Sequence, residues 1–484
     1  METSRQVHLS FSRTVLKVTR KPDEVDSDAG LSPEQARAMA LFRQGVNLFI
    51  SGPGGSGKSY LVKFMTMERD KTTCQVTSTT GCSSVLLSSS LGAGTVKTIH
   101  SWSGVRLCKG TVEEVVQRVL KDRMAIKAWK KVRCLLIDEV SMLSRKMFDV
   151  LDQVGRVVRK CALPFGGIQV VLLGDMYQLA PIPDSSSPDD PSGQFCFESD
   201  RWYETIPRAH HVELTRIYRQ KDAKFQEILN QVRVGELSED NAAVLRTYIG
   251  RTMEPGGMTV RPIRILPTRA MVSAVNDTEY AKVAATEHTF VGRIQTDVRL
   301  YLDSDLPIPS DIWIKGKELS TAQRERECAV LRTNTPVEET IHLKQGVPVM
   351  CLVNVDLEAG VANGSLGVVV GFGMNAEYAR ELPLVQFANG VRRTITPHFW
   401  QHQDFPNLVY SQVPLALSYS STIHKLQGST LDLAEMNLGG SVFADGQIYV
   451  GLSRVKSLEG LYLTAFHANK IKVNPKVKAF YAQF

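Results

Sequence analysis

Two rhythms of apolar and polar positions run along this chain, and the change between them divides it. Val46, Leu48, Phe49 and Ile50 form a short apolar run suited to a buried strand, and Leu61, Val62, Phe64 and Met65 then recur at helical spacing. Further strand-like runs follow at Thr73–Ser78, Cys134–Ile137 and Ile168–Leu173, then at Ile263–Leu266 and Val413–Leu417. Ser32, Pro33 and Gln35 open a helix as N-cap, first-turn proline and capping-box residue. From Gly346 to Ser411 the pattern changes to short strands at Val347–Val353, Gly367–Phe372 and Leu384–Phe387, punctuated by Asn363-Gly364 and Asn389-Gly390 turns. The fold class expected is α/β: two cores of this type, the second interrupted by a small β-barrel. Residues 284–345 read as irregular. Within the first core, 103–131 carries Val115, Val116, Val119 and Leu120 among charged residues and leaves through Lys127, Lys130, Lys131 and Arg133, a small helical insertion with a basic exit.

Chemistry enters between the first strand and its helix. Gly52-Pro53-Gly54-Gly55-Ser56-Gly57-Lys58-Ser59, followed by Tyr60, fits the phosphate-binding P-loop G-x-x-x-x-G-K-[ST]. Glycines let the backbone wrap a polyphosphate so that N–H groups and a helix N-terminus face its charge. Lys58 would reach the β/γ-phosphates and Ser59 would hold Mg2+. Two more strands end in matching groups. Asp138 can hold Mg2+ while Glu139 polarises the attacking water, and Gln178 lies just beyond Asp175 in position to sense a γ-phosphate. Such sheets bind ligands beyond the carboxyl ends of their strands. Capping alone explains Gln35, and an adenine contact explains it equally well. Polar, small and aromatic residues interleave from Thr95 to Trp102, where His100 or Trp102 could offer a stacking face to a nucleic-acid strand and Lys97 could meet phosphate; Trp102 reads more readily as core.

Composition narrows the class. At 484 residues the chain exceeds one ordinary core, about 150 residues per domain being usual. No apolar run approaches the ~20 residues of a membrane span, so no membrane partner is expected. A net charge of +7 permits nucleic-acid binding. The eight cysteines show no C-x-x-C pair, which argues against a zinc site or a disulfide framework. Residues 1–22 carry five basic residues against Glu2, with several Ser and Thr, as a mitochondrial transit segment or a plain basic tail would.

In order along the chain stand L-S-P-E-Q, the P-loop, T-T-G-C-S-S, T-I-H-S-W-S-G, I-D-E-V-S-M-L, P-F-G-G-I-Q, G-D-M-Y-Q-L-A-P, L-T-R-I-Y-R-Q, V-N-G-S-L-G-V-V-V-G-F, T-I-H-K-L-Q-G-S-T-L-D and Y-V-G-L-S-R. From about Leu31 to the C-terminus the sequence resembles the Pif (petite integration frequency) family of superfamily-one 5′ to 3′ DNA helicases. The family's signature segment corresponds to Asp222–Gly235. The resemblance implies two tandem RecA-like P-loop NTPase cores: a basic tail at 1–30, a first core at 31–208 with a wedge at about 103–131, a second core at 209–345 and 412–484, and the inserted barrel at 346–411. It implies ATP and Mg2+ as cofactors, with Gln35 reading adenine. Lys58, Ser59, Asp138, Glu139 and Gln178 would form the hydrolysis centre, and Arg219 and Arg454 would come from the second core. DNA would be held by Thr98, His100, His424, Lys425 and Gln427, the T-I-H-K-L-Q-G residues matching best.

The partners implied are single-stranded DNA and tailed or forked duplex, with RNA–DNA hybrids and four-stranded guanine structures as further substrates. The setting implied is genome maintenance in the nucleus or mitochondrion, and the protein would be a monomer off DNA. Leu426 and the Met176-Tyr177 pair depart from the family pattern, and are expected to tune loops rather than remove a catalytic group. Two competing readings are a superfamily-one translocase of opposite polarity and a non-catalytic nucleic-acid-binding module. Lys58, Glu139 and Arg454 are all present, which disfavours the second.

Overall fold

The computed structural model describes residues 30–484 apart from 82, 85–86, 88–90, 92–95, 107, 184–189, 252–262, 296–318, 354, 357–358, 362–363, 402–404, 406–407, 424–425, 428–429 and 432. The possible transit segment therefore lies outside the described residues.

Six parallel strands build the first core: β1 Leu48–Ser51, β2 Cys74–Ser78, β3 Lys97–Thr98, β4 Cys134–Asp138, β5 Gln169–Leu173 and β6 His211–Glu213. Their order is β3-β2-β4-β5-β1-β6. β1, β4 and β5 are buried along their whole length, which is why they read as continuous apolar runs rather than alternating ones. The expected capping box forms at Ser32 and Gln35 and starts the Pro33–Arg43 helix. The insertion is helical, Val112–Val119 followed by Arg123–Lys131. Its apolar face packs into the first core, and Trp129 meets Trp102 at 4.9 Å. Trp102 is thus a core residue. Lys127, Lys130, Lys131 and Arg133 stand exposed.

The second core is a four-stranded parallel sheet in the order Ser420–Thr422, Ile263–Leu266, Ala434–Leu438, Leu461–Phe466. The Ala223–Val234 helix covers it with Phe225, Ile228, Leu229 and Val232.

The expected boundaries shift in three places. His211–Glu213 pairs with β1, so the first core runs past residue 208. The second core resumes at Ser420 rather than 412, because Leu415–Leu417 pairs antiparallel with Pro348–Cys351 and Val409–Gln412 with His398–Gln401. The last helix, Pro475–Tyr481, leaves the second core and lays Val477 and Phe480 into the first. Phe480 closes an aromatic surface formed by Phe49, Phe197 and Trp202.

Nor are the described residues of 284–345 irregular. Glu287–Val291 and Thr340–Lys344 pair with each other, Arg293–Gln295 joins Val409–Gln412, and Thr321–Asn334 is helical. Phe290, Ile341 and Leu343 share one apolar cluster with Val349, Val385 and Leu415. The β module is therefore larger than 346–411 and comprises sheets of five, three and two strands. Among the described residues no helix is long and apolar enough to cross a membrane.

Candidate active site

A cavity of about 280 Å³ opens between the two cores, lined by the P-loop, Asp138, Glu139, Gln178, Arg219 and Arg454. Local sequence explains its floor. Gly55 and Gly57 take φ of 86° and 88°, the left-handed region open to glycine. A Cβ on Gly55 would come within 2.5 Å of the Arg219 Cβ, and one on Gly57 within 2.8 Å of Gln35 Nε2. Both glycines therefore let other site residues approach. The helix Lys58–Met67 starts directly after them. Lys58 folds back, its Nζ donating to the carbonyls of Gly52 and Pro53, the latter at 3.0 Å. Burial pushes its pKa down, opposed by the carboxylates of Asp175, Glu139 and Asp138. Tyr60 lines the mouth and is half exposed.

At the end of β4, Asp138 is buried and accepts from Ser83 Oγ at 3.3 Å. Burial and the neighbouring Glu139 carboxylate push its pKa up to about 7, a charge imbalance that a divalent cation would relieve. Glu139 holds a φ of 57°, a conformation that costs a non-glycine residue energy and recurs at functional sites.

Across the cleft, Arg454 follows the Gln447–Leu452 helix of the second core. Its Nε donates to Val450 O at 2.8 Å and one Nη to Ser453 Oγ at 2.7 Å. Burial, with Arg219 beside it, lowers its pKa to about 9. Arg219 donates to Ser453 O at 3.1 Å and is also lowered by burial. Three basic groups destabilised by burial around one cavity fit a polyanion. Arg219, expected from the second core, lies on the crossover beside the P-loop, where Tyr218 N–H donates to Gly55 O at 2.9 Å.

Gln35 forms the expected capping box. Its Oε1 accepts from Ser32 N–H at 3.0 Å, while Nε2 lies against Gly57.

Of the residues expected on DNA, Thr98, His100 and Gln427 lie among the described residues. Thr98 caps the Ile99–Ser103 helix. His100 is partly buried, and burial lowers its pKa. His424 and Lys425 lie outside the described residues. Gln427 is a correction: it is buried in the cleft, where Nε2 donates to Glu139 Oε2 at 3.2 Å and Gln178 Oε1 at 3.3 Å. Ser83, Tyr218 and Tyr449 had been given no role, although all three stand in or beside motifs quoted above.

Residues 31–243 match the PIF1-like helicase family, and 329–372 match the DNA helicase Pif1 2B domain. A Xenopus laevis protein named ATP-dependent DNA helicase PIF1 is 31% identical over 97% of this chain and 67% of its own. The chain belongs to the PIF1-like helicase family. It spans 63% of the human relative's length. The Pif1 helicase structure from Candida albicans superposes with a TM-score of 0.77 at 29% identity, covering 93% of this chain and 99% of that one. Pif1 from Bacteroides, solved with ADP-AlF3 and single-stranded DNA, gives 0.66 at 25% identity, covering 94% and 96%. The tandem RecA-like architecture is common to them.

Proposed function

We propose that this chain is an ATP-dependent DNA helicase that travels 5′ to 3′ on single-stranded DNA and opens duplex ahead of it. The observation that carries this is the meeting of Lys58, Glu139, Gln178, Arg219 and Arg454 around one inter-core cavity. The Bacteroides relative's complex with ADP-AlF3 and single-stranded DNA supports a nucleotide and a DNA strand as ligands.

In this reading the P-loop amides and Lys58 hold the phosphates, and Gln35 and Tyr218 flank the base. Ser59 and Asp138 would hold Mg2+, which supplies charge neutralisation when bound. Glu139 takes the proton of the attacking water, oriented by Gln178 and Gln427. Arg219 and Arg454 meet the charge that develops on the transferred phosphoryl group. Such an arginine is worth roughly 10³–10⁵ in rate, so hydrolysis depends on the second core closing on the first. If each core grips the strand more tightly in a different state of the cleft, the cycle of closure and opening becomes stepping.

Thr98, His100, His424 and Lys425 are the proposed strand contacts, and the helices of 112–131 the wedge. Tailed and forked duplexes are the proposed substrates, with RNA–DNA hybrids and four-stranded guanine structures after them. The proposed setting is genome maintenance by a monomer, in the nucleus or in the mitochondrion, the latter fitting the basic stretch at 1–22.

Strand separation on matched duplexes bearing a 5′ or a 3′ tail, by the wild type and Glu139→Gln, tests the proposal. Opening of the 5′-tailed duplex alone, lost in Glu139→Gln, is the expected result. Opening of the 3′-tailed duplex alone would reverse the polarity and leave the ATP chemistry standing.

A further inference from the structure

Beside the cleft lies a buried charge that the chemistry above does not use. Asp175, just past the end of β5, is fully buried. It accepts from Arg233 Nε at 3.2 and 3.1 Å and from Arg233 Nη2 at 3.0 Å. Arg233 sits in the last turn of the Ala223–Val234 helix, which is rooted in the second core by Phe225, Ile228, Leu229 and Val232. Its guanidinium lies 4.7 Å from the centre of the Tyr177 ring and 5.3 Å from that of Tyr481. Its Nη2 also reaches Glu213 at 3.0 Å, at the end of β6. One second-core arginine therefore holds the ends of two first-core strands.

Other donors complete the cluster. Tyr449 donates its hydroxyl to Asp175 Oδ2 at 3.0 Å and accepts the P-loop's Gly54 N–H at 2.9 Å. The Tyr481 hydroxyl, from the C-terminal helix, accepts Met176 N–H at 3.1 Å and pairs with Ser51 Oγ. Asp175 in turn shapes the loop that presents Gln178. Its carbonyl accepts Gln178 N–H at 2.9 Å and its Oδ1 accepts Tyr177 N–H at 3.2 Å.

A buried carboxylate requires a counter-charge, and two cations stand near this one. Arg233 makes the fork described, and the Asp175 carboxylate is among the charges that hold the buried Lys58 pKa up against burial. With Arg233 in place, Lys58 stays on the P-loop carbonyls. A fork-to-carboxylate pair is directional, whereas an ammonium moves freely to whatever charge is left uncompensated. Loss of the fork would turn Asp175 into a competitor for the lysine that the phosphates need.

We propose that Arg233 is a positioning residue for the hydrolysis centre: from the second core it fixes the Asp175–Gln178 turn and keeps Asp175 from capturing Lys58. This rests on the ATPase reading above.

The test is DNA-stimulated ATPase kinetics on the wild type, Arg233→Met, Asp175→Asn and the double variant, each checked for folding by circular dichroism. Methionine keeps an apolar stem between the two tyrosines. In Arg233→Met the KM for ATP is expected to rise, and kcat to fall, by about tenfold each. Neutralising Asp175 as well should bring KM back to within about threefold of the wild type while kcat stays low, because the turn remains untied. A merely structural role would move neither parameter selectively. Wild-type kinetics in Arg233→Met, or a KM in the double variant as high as in the single one, overturns the inference. Should Arg233→Met fail to fold, Arg233→Lys keeps the charge without the fork; reduced kcat at near-normal KM supports the proposal, and unchanged kcat overturns it. A wild type without DNA-stimulated turnover would instead overturn the ATPase reading itself.

Discussion

Gln427 of the second core donates its amide to Glu139 of the first, Nε2 to Oε2 at 3.2 Å, across a sequence separation of 288 residues. The same nitrogen reaches Gln178 Oε1 at 3.3 Å, and Gln427 Oε1 is a buried acceptor with no partner among the described residues. A residue of the T-I-H-K-L-Q-G motif thus stands against Glu139, the proposed general base.

Replacing Gln427 with leucine should therefore lower kcat for DNA-stimulated ATP hydrolysis by about tenfold to a hundredfold, as loss of an orienting hydrogen bond does. The affinity for single-stranded DNA should change less than about twofold, within the range of substitutions that touch no ligand. Fluorescence anisotropy with a labelled oligonucleotide, run beside the ATPase assay, separates the two. A large loss of DNA affinity with normal kcat would return Gln427 to the strand.

Arg454 is buried and reaches the cavity from the second core. Arg454→Ala is expected to reduce kcat by at least about 10³ while nucleotide binding, read with a fluorescent ATP analogue, weakens far less. Arg219→Ala should act similarly but also loosen nucleotide binding, because Arg219 packs on Gly55 of the P-loop. Equal losses of binding and turnover in both variants would argue against a role confined to the transition state.

His211 supplies a pH dependence. Its ring is buried among Phe49, Trp202 and Phe480, with Nε2 against Ile206 O at 3.2 Å. Burial lowers its pKa from 6.5 to about 4. The folded protein thus binds fewer protons than the unfolded chain between those values, so this contribution to stability is complete above pH 6.5 and is lost as pH falls toward 4. Thermal melts of wild type and His211→Phe should diverge in slope from pH 6.5 down to about 5, before most carboxylates titrate. Parallel slopes would remove His211 as the cause.

Trp129 is fully buried against Trp102, and its indole N–H donates to Ser103 O at 3.1 Å. Trp129→Ala should cost about 3–5 kcal/mol of stability in urea unfolding. Trp102→Phe should leave single-stranded DNA affinity unchanged within about twofold, since a buried ring offers no stacking face to a base. A marked drop in affinity would put Trp102 back on the strand.

Much of this is legible in the sequence. Buried parallel strands leave apolar runs, so β1, β4 and β5 could be read directly, as could Ile263–Leu266 despite the break at Arg264. The strands between 284 and 345 could not. They are short, their apolar positions alternate with exposed ones, and their partners lie far along the chain, as Glu287–Val291 does from Thr340–Lys344. Of the expected strand Val413–Leu417, only Leu415–Leu417 forms, and it pairs in the β module rather than in the second core, because an apolar run carries no mark of which neighbour it pairs with.

By itself the sequence determined the proposed ATP centre: the P-loop, Asp138-Glu139 and Gln178 each stand in a few consecutive residues at a strand end, where local geometry suffices. Tertiary structure alone decided that Gln427 faces Glu139, that Arg219 lies on the crossover beside Gly55, and that Arg233, Tyr449 and Tyr481 converge on Asp175. Those contacts join residues tens to hundreds of positions apart. They exist only because two separately folded sheets, and a C-terminal helix that crosses from one to the other, bury the same few charged groups between them.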